Sequence, residues 1–426
     1  MDYEQINMGA YHLHIIRTRK FKTITVEVNF RRKMNSEEIV FRNLLKMILL
    51  CTTKNFKTEQ ELIRETENLY DLKLISSNTR IGNYSNLSFK IRFLNEKYTE
   101  EKMNEYSMDF LMEVLFQPNV LNGEFEVDSL KKCKNKLEMS LQRLSDNKLK
   151  YALTKLLQST GEMPYSYNPY GCLEDLDKVT VRNLYDYYQS VLANDYVDVF
   201  VVGDVDSNSF KKYFKENFKI NTFKKDKKDI LVQELLPRKR IKKITETFPA
   251  NQTQLTVLCT MNHLTDFERR YVSLVYNEIL GGSSNSLLFN TVREKNSYAY
   301  YVNSSQKAYD NILLIYSGIE NGNSANVLKL IRKTLTDISK GKFSDDILAE
   351  SQRTIIASIK ASTDSPSGII NTYYARCLVN SDDFSERIKN IKKVNRDKII
   401  EFSKKVLLHT VYLLDGESKE IENGTN

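Results

Sequence analysis

The chain has 426 residues, of which 41% are hydrophobic and 28% are charged, and this length allows two or more domains with full cores. No stretch approaches the roughly 20 apolar residues that cross a bilayer, and no signal-like run opens the chain, so we expect a cytoplasmic protein without a membrane partner. The five cysteines lie far apart with no Cys-x-x-Cys pair, which favours reduced thiols over a disulfide framework or a zinc ribbon.

The N-terminal part is predicted to begin with a strand and two helices. Residues 23–30, TITVEVNF, alternate apolar and polar side chains, as a half-buried antiparallel strand does. Apolar residues then recur with helical spacing over 40–49, and Asn35 is the predicted N-cap of this helix. A second helix is predicted to begin at Thr58, where Glu61 completes a capping box.

Further strands are predicted along the rest of the chain. Residues 86–93, NLSFKIRF, alternate in the same way, whereas 198–204 and 312–318 are apolar enough for central strands. Strands and long helices alternate without the strict rhythm of a parallel sheet. We therefore predict an α+β fold in which antiparallel sheets pack against helices.

The positive charge is concentrated in one segment. Residues 211–243 hold 13 Lys and Arg against 4 Asp and Glu, whereas the net charge of the whole chain is +8. Basic connectors between domains are usually solvated, so we interpret 220–247 as a linker and expect no nucleic-acid binding. Salt-dependent phosphate binding by this linker is the alternative. The predicted domains are 1–219 and 248–426.

Internal similarity predicts that the two domains are homologous. Three segments of the first half recur in the second half in the same order and at nearly constant spacing. Each match is weak alone, because amphipathic helices resemble one another, but the shared order favours a duplication. The matched segments begin at residues 125 and 343, at 178 and 393, and at 198 and 410.

Three motifs carry a resemblance to a known family. They are SSNSLLFNTVREKNSYAYYVNS at 283–304, NPYGCLEDLDKVT at 168–180 and VVGDVD at 201–206. In this order they resemble the insulinase/pitrilysin family of zinc metallopeptidases, over roughly residues 10–415. The resemblance implies two homologous α+β domains arranged as a clamshell around a central chamber, in which an extended peptide adds a strand to a sheet edge. The opening of the chain most resembles a non-catalytic bacterial branch whose name refers to the 5-aminopentanol modification of elongation factor P.

The resemblance also shows which chemistry is missing. Catalytic relatives carry His-x-x-Glu-His on a helix, where two His bind zinc and the Glu activates its water. Alignment with the family places these positions on Asn43, Lys46 and Met47, none of which suits zinc, and no His lies between His14 and His263. We expect no catalytic residue, no metal and no cofactor. Four acids near the expected third-ligand position are interpreted as helix surface: Glu124, Glu126, Asp128 and Glu138.

Arg293 and Tyr300 match the second-domain signature of the family. The resemblance implies that they bind substrate, reaching the peptide backbone or the transition-state oxyanion beside the metal. The alternative is a structural role, with Arg293 paired to Glu294 or Glu278 and Tyr300 in a core.

Other candidate sites are weaker. His12 and His14 share a strand face and could form half of a metal site, but an ordinary polar face is the favoured interpretation. The cluster GGSSNS at 281–286 lacks the Lys of a phosphate loop and is interpreted as a turn. His263 and His409 have no partner nearby in the sequence. An enzyme of unrelated chemistry is therefore disfavoured.

The prediction is a non-catalytic subunit of a heterodimeric peptidase. It would bind a peptide substrate and pair with a catalytic zinc metallopeptidase relative that has an intact motif. The alternative is a stand-alone peptide-binding or scaffold protein in a modification pathway such as that of elongation factor P.

Overall fold

The computed structural model of the chain describes residues 1–220 and 230–417, and the chain divides into two compact units. Unit 1 comprises Met1–Gln142, Asn168–Asp229 and Thr363–Asn371, and unit 2 comprises Arg143–Tyr167, Ile230–Ser362 and Thr372–Asn426. The two units are therefore not separated by a single boundary at the predicted linker. Arg143–Tyr167, from the first half of the chain, belongs to unit 2, and Thr363–Asn371, from the second half, belongs to unit 1.

The strands form two large sheets and one small hairpin. In chain order they are β1 (Asp2–Asn7), β2 (His12–Arg17), β3 (Thr23–Lys33), β4 (Lys73–Ile81), β5 (Tyr84–Leu94), β6 (Val120–Leu121), β7 (Glu124–Phe125), β8 (Tyr196–Gly203), β9 (Lys242–Pro249), β10 (Thr253–Met261), β11 (Ala299–Lys307), β12 (Ile312–Ile319) and β13 (Val406–Glu417). Residues 221–229 of the predicted linker lie outside the described residues. Its C-terminal part, residues 242–247, is not solvated connector but forms the first six of the eight residues of β9.

The helices lie mostly between strands. In chain order they are α1 (Ile39–Ile48), α2 (Glu59–Asn68), α3 (Met103–Phe116), α4 (Val127–Gln142), α5 (Lys148–Gln158), α6 (Leu173–Asp177), α7 (Val181–Asn194), α8 (Ser207–Asn217), α9 (Ser273–Asn277), α10 (Ser324–Ser339), α11 (Asp345–Ser362), α12 (Pro366–Val379), α13 (Phe384–Lys392) and α14 (Arg396–Ser403). π-Helical turns extend α9 at both ends, over Glu268–Val272 and Glu278–Gly282, and another covers Phe289–Glu294. Within 1–220 and 230–417, no helix is both long and apolar enough to span a bilayer.

The two sheets have the same topology. The strand order in unit 1 is β1-β2-β8-β3-β5-β4, and in unit 2 it is β9-β13-β10-β12-β11. If the extra edge strand β1 is left out and the sheet strands of each unit are numbered in chain order, both sheets have the order first, last, second, fourth, third. This agreement supports the duplication that the sequence predicts. The pairs β2–β8 and β9–β13 are parallel, because the last strand returns after a long helical connection and inserts between the first two strands.

The predicted elements agree closely with these bounds. Residues 23–30 lie in β3 and 86–93 in β5, which pair antiparallel. Thr58 and Glu61 form the predicted capping box at the start of α2. The predicted N-cap Asn35 instead caps a short 3₁₀ turn, after which α1 begins at Ile39.

Each sheet packs one apolar face against helices of its own unit. The second face of the sheet in unit 2 is also apolar, and α5 covers it: Ala152 and Leu156 pack with Leu258, Ile312 and Leu314. This burial explains why residues 143–167 belong to unit 2 although they lie in the first half of the chain. The equivalent segment after α11, residues 363–371, belongs to unit 1.

Candidate functional site

Helix α1, which carries the degenerate zinc motif, is held in unit 1 by a buried ion pair. Arg42 is 1% exposed and donates to the Asp195 carboxylate at 2.9 Å and to the Phe30 carbonyl at 2.7 Å. Arg32 on β3 donates to the same carboxylate at 2.5 Å. Burial opposes the charge on Arg42, but Asp195 outweighs it and raises the pKa of Arg42. Through Arg42, α1 is attached to β3 and to the residue that precedes β8.

The first motif position is a structural hydrogen-bond donor. Asn43 is 1% exposed, and its side-chain amide donates to the carbonyls of Ile39 and Pro169, both at 2.9 Å. One contact is made within the helix and the other reaches the loop before α6. The amide therefore joins helix and loop at the position that the sequence predicts to correspond to a zinc ligand of catalytic relatives.

The other two motif positions are also integrated in the fold. Burial lowers the pKa of Lys46, an effect that Tyr170 opposes, and the Lys46 carbonyl accepts from Ser76 on β4 at 2.8 Å. Met47 packs against the core of unit 1, and its carbonyl accepts from the Cys51 thiol at 3.3 Å. Neither side chain offers the hard nitrogen or oxygen ligand that zinc prefers.

The Asn-Pro-Tyr-Gly turn packs directly on α1. The Asn168 side chain accepts from the backbone N–H of Tyr170 at 3.0 Å, which closes the turn. Gly171 has a φ of +88°, and a Cβ there would lie 2.3 Å from a methyl group of Val40. Glycine is required here for both the left-handed backbone and the close approach.

The four acids near the expected third-ligand position have local roles. Glu124 and Asp128 are exposed, Glu126 accepts from Ser129, and Glu138 accepts from Gln142 one turn later on α4. Over 1–220 and 230–417, no group of three or more His, Cys, Asp or Glu side chains is placed to hold a metal ion. Of the four, Asp128 and Glu138 lie on α4 as the helix-surface interpretation predicts, whereas Glu124 lies on β7 and Glu126 immediately precedes the helix.

The two histidines of β2 meet a carboxylate. His14 is fully buried, with Nε2 3.1 Å from Asp198 and Nδ1 2.9 Å from the Tyr3 hydroxyl. His12 Nδ1 lies 3.7 Å from the same carboxylate. Arg31 approaches its other oxygen at 3.8 Å. This arrangement is a buried polar cluster in which each charged group faces an opposite one.

Arg293 lies at the end of the π-helical turn in unit 2, and its side chain is 47% exposed. Its guanidinium stacks 4.9 Å from the ring centre of Phe289, and its Nε lies 3.9 Å from Glu294. An exposed ion pair at this distance contributes little to stability. Of the two structural partners considered from the sequence, Glu294 is the one the geometry provides. Glu278 is half-buried, and burial raises its pKa.

Tyr300 lies on β11, the edge strand of the second sheet. It falls at a register shift between Ala299 and Tyr301, and its side chain is 58% exposed rather than part of a core. A bulge at an edge strand re-aims the side chain that it carries. Arg293 and Tyr300 thus present exposed polar groups in unit 2, whereas the degenerate zinc positions lie in unit 1.

Sequence reasoning missed the residues that hold α1 in place. Arg42 interrupts the apolar run of the helix on its buried face, and a lone charge there is a signal for a buried partner. Its partner Asp195 lies 153 positions away, so the signal identifies one member of the pair and not the other.

Comparison with known proteins agrees with this geometry. Residues 178–355 match the family profile described as Peptidase M16 inactive domain. The chain is 28% identical over 421 residues to the probable inactive metalloprotease YmfF of Bacillus subtilis (strain 168), covering 96% of each chain. It is 26% identical over 272 residues to the uncharacterized zinc protease YmxG of the same organism, covering 63% of this chain and 64% of the relative.

A solved structure shares the whole fold. The crystal structure of a conserved protein from Enterococcus faecalis V583 superposes with a TM-score of 0.91 at 26% identity, covering 99% of this chain and 100% of the other. These matches support the M16 family, the insulinase-like family that the motifs resemble, in its non-catalytic form. The chain is therefore similar to inactive M16 peptidase homologues, has a two-unit α+β fold, and lacks the His-x-x-Glu-His motif in its sequence.

Proposed function

We propose that this chain is the non-catalytic subunit of a heterodimeric M16 peptidase, in which it binds peptide and pairs with a zinc-bearing relative. The observation that carries the proposal is the set of hydrogen bonds that α1 makes through Arg42 and Asn43. The helix keeps its buried attachment through Arg42 and Asp195, while Asn43 fills a ligand position with structural hydrogen bonds. A fold that is maintained around a lost metal site supports a role for the fold itself.

The pairing is supported by the two kinds of relative. Bacillus subtilis (strain 168) has one relative named as a probable inactive metalloprotease and one named as a zinc protease, and this chain is similar to both. Homologous chains carry corresponding surfaces, so they can associate around a pseudo-two-fold axis as the subunits of a homodimer do.

Peptide binding is supported by the edge of the first sheet. β4 is the edge strand on the side of α1, and Ser76 links it to the Lys46 carbonyl. An extended peptide added to this edge would gain main-chain hydrogen bonds and would pass the former zinc positions. The clamshell chamber implied by the family resemblance belongs to the same proposal.

In this proposal Arg293 and Tyr300 bind the peptide. Both side chains are exposed, and the contacts of Arg293 are a weak ion pair and a stack on Phe289, which leave its N–H groups available to a ligand. A guanidinium can donate two parallel hydrogen bonds to a carboxylate or to backbone carbonyls, and a phenol can donate one.

A tagged pull-down from native cytosol, followed by mass spectrometry, tests the pairing. We expect a relative with an intact His-x-x-Glu-His motif to co-purify one to one. Recovery of the chain alone, or of proteins of a modification pathway such as that of elongation factor P, would contradict the heterodimer and favour a scaffold function. Fractionation of the cells before the pull-down tests the cytoplasmic location.

Variants of the purified pair test the two exposed residues. We expect Arg293→Ala to lower kcat/KM for peptide hydrolysis at least tenfold, and Tyr300→Phe to lower it less, with the free energy of unfolding changed by less than about 0.5 kcal/mol. Arg353→Ala, at an exposed arginine of α11, is the matched control. Unchanged kinetics of Arg293→Ala would remove this residue from the binding surface.

A further inference from the structure

Two cysteines that are far apart in the sequence meet in unit 1. Cys51 follows the C-terminus of α1, and Cys133 lies in α4. Their sulfur atoms are 3.6 Å apart, and both residues are buried, with exposures of 4% and 0%. Among the described residues, none of the five cysteines forms a disulfide.

A surface ion pair lies close enough to Cys51 to act on its thiol. Lys136 and Glu59 are 3.8 Å apart, and their side chains are 60% and 41% exposed. Both charges act on Cys51. The hydrogen bond with Cys133 and the nearby Lys136 lower the pKa of Cys51, whereas burial and Glu59 oppose this effect.

We propose that Cys51 and Cys133 form a reversible intrachain disulfide when the protein meets a hydroperoxide. The two sulfur atoms are already in contact at 3.6 Å, and bond formation brings them to a separation of roughly 2 Å. The bond would tie the end of α1, the helix of the degenerate zinc motif, to α4.

The chemistry balances with hydrogen peroxide as the oxidant. The Cys51 thiolate attacks one peroxide oxygen, the O–O bond breaks, and hydroxide leaves and takes a proton to become water. The resulting Cys51 sulfenic acid is attacked by Cys133, the S–O bond breaks, and a second water leaves. Two thiols lose two electrons and two protons in total, and one peroxide becomes two waters.

The test is peroxide treatment of the purified full-length chain, followed by thiol counting after denaturation. The number of titratable thiols should fall from five to three, and peptide mapping should find Cys51 joined to Cys133. The oxidised chain should unfold at a higher temperature than the reduced chain, because the cross-link closes a long loop, and dithiothreitol should reverse the shift. Retention of all five thiols, or a disulfide between any other two cysteines, would overturn the proposal.

Cysteine and lysine variants distinguish a disulfide between Cys51 and Cys133 from oxidation of other thiols. Cys51→Ala and Cys133→Ala should each abolish the disulfide and the thermal shift, and Cys259→Ala should leave both intact, since Cys259 is buried without a partner thiol in hydrogen-bond range. Lys136→Gln should slow disulfide formation several-fold, whereas Lys132→Gln on the exposed face of the same helix should not. An unchanged rate in Lys136→Gln, together with a disulfide that persists in Cys51→Ala, would contradict the assignment.

Discussion

The two sheets share one topology but differ on their second faces. Pairing register places Asp198 beside Asn29 in unit 1, and Thr410 beside Leu258 at the equivalent positions in unit 2. In unit 1 the face carries buried charged groups beside apolar ones such as Phe200, and Asp198 is held by His14 and Arg31. In unit 2 the face is apolar and α5 covers it. One duplicated architecture is therefore stabilised by paired charges in one copy and by hydrophobic burial in the other.

This difference between the two sheet faces predicts which single substitution lowers the free energy of unfolding most. Removing one partner of a buried charge cluster leaves the others uncompensated, which costs more than removing a hydroxyl. We expect Asp198→Ala to lower the free energy of unfolding by about 3–5 kcal/mol, and Thr410→Ala by about 1 kcal/mol. Denaturant unfolding of both variants measures this comparison, and equal losses would show that the cluster is not the main support of its face.

The same cluster has a pH dependence of known sign. Burial opposes the charge on Asp198, but His12, His14 and Arg31 outweigh it and hold the pKa of this carboxyl well below its usual range. A lowered folded-state pKa contributes stability above the unfolded value, near pH 4, and this contribution is lost as the pH falls further. The Asp198→Ala penalty should therefore shrink below about pH 4.

A cavity introduced beside the apolar sheet face of unit 2 should lower the free energy of unfolding. Leu156 on α5 is fully buried against β10 and β12, so Leu156→Ala removes packed methyl groups without any charge. We expect a loss of about 2–4 kcal/mol in the free energy of unfolding, with faster hydrogen exchange in β10 and β12. Leu236→Ala is the control, since Leu236 is 82% exposed. If both variants unfold alike, α5 does not stabilise this face.

The smallest predicted effect concerns a buried histidine of unit 2. His14 in unit 1 faces a carboxylate, whereas His409 accepts from the guanidinium of Arg238 at 3.0 Å and lies on a buried strand. Burial and the charges of Arg238 and Lys242 lower the pKa of His409 to about 4. The unfolded chain then binds the proton first, so stability should fall by about 2 kcal/mol as the pH drops from about 6.5 to 4.

Two variants sharpen this test. Arg238→Gln should weaken the pH dependence without abolishing it, because the nearest positive charge is gone while the burial of His409 and the charge of Lys242 remain. His263→Gln should leave it as in the parent, since His263 lies exposed in a loop. A pH profile of Arg238→Gln identical to that of the parent chain would show that His409 does not control this range.

Much of the local structure could be predicted from the sequence. The strands at 23–30 and 86–93 and the capping box of Thr58 depend on residues close together in the chain, so their patterns are readable directly. The loss of the zinc motif is also a sequence observation, because no His is available near Asn43. The exchange of residues 143–167 between units depends on an apolar sheet face far along the chain, and no local pattern reveals it.

The other features that the sequence did not predict are contacts between residues far apart in the chain. Arg42 meets Asp195, and Cys51 meets Cys133, only after the sheet and helices of unit 1 are assembled. Each partner can be recognised as unusual in its own segment, but pairing requires the topology. Arg293 and Tyr300 were identified by their motif, and their exposure agrees with a binding role without assigning the ligand.

The central claim is that this chain is the non-catalytic subunit of a heterodimeric zinc peptidase. The most direct test measures zinc content and peptide hydrolysis, first for the chain alone and then for the complex isolated with it. The account predicts neither zinc nor hydrolysis for the chain alone, and one zinc with hydrolysis for each heterodimer. Stoichiometric zinc and hydrolysis by the isolated chain would contradict it, because Asn43, Lys46 and Met47 would then not mark a lost site.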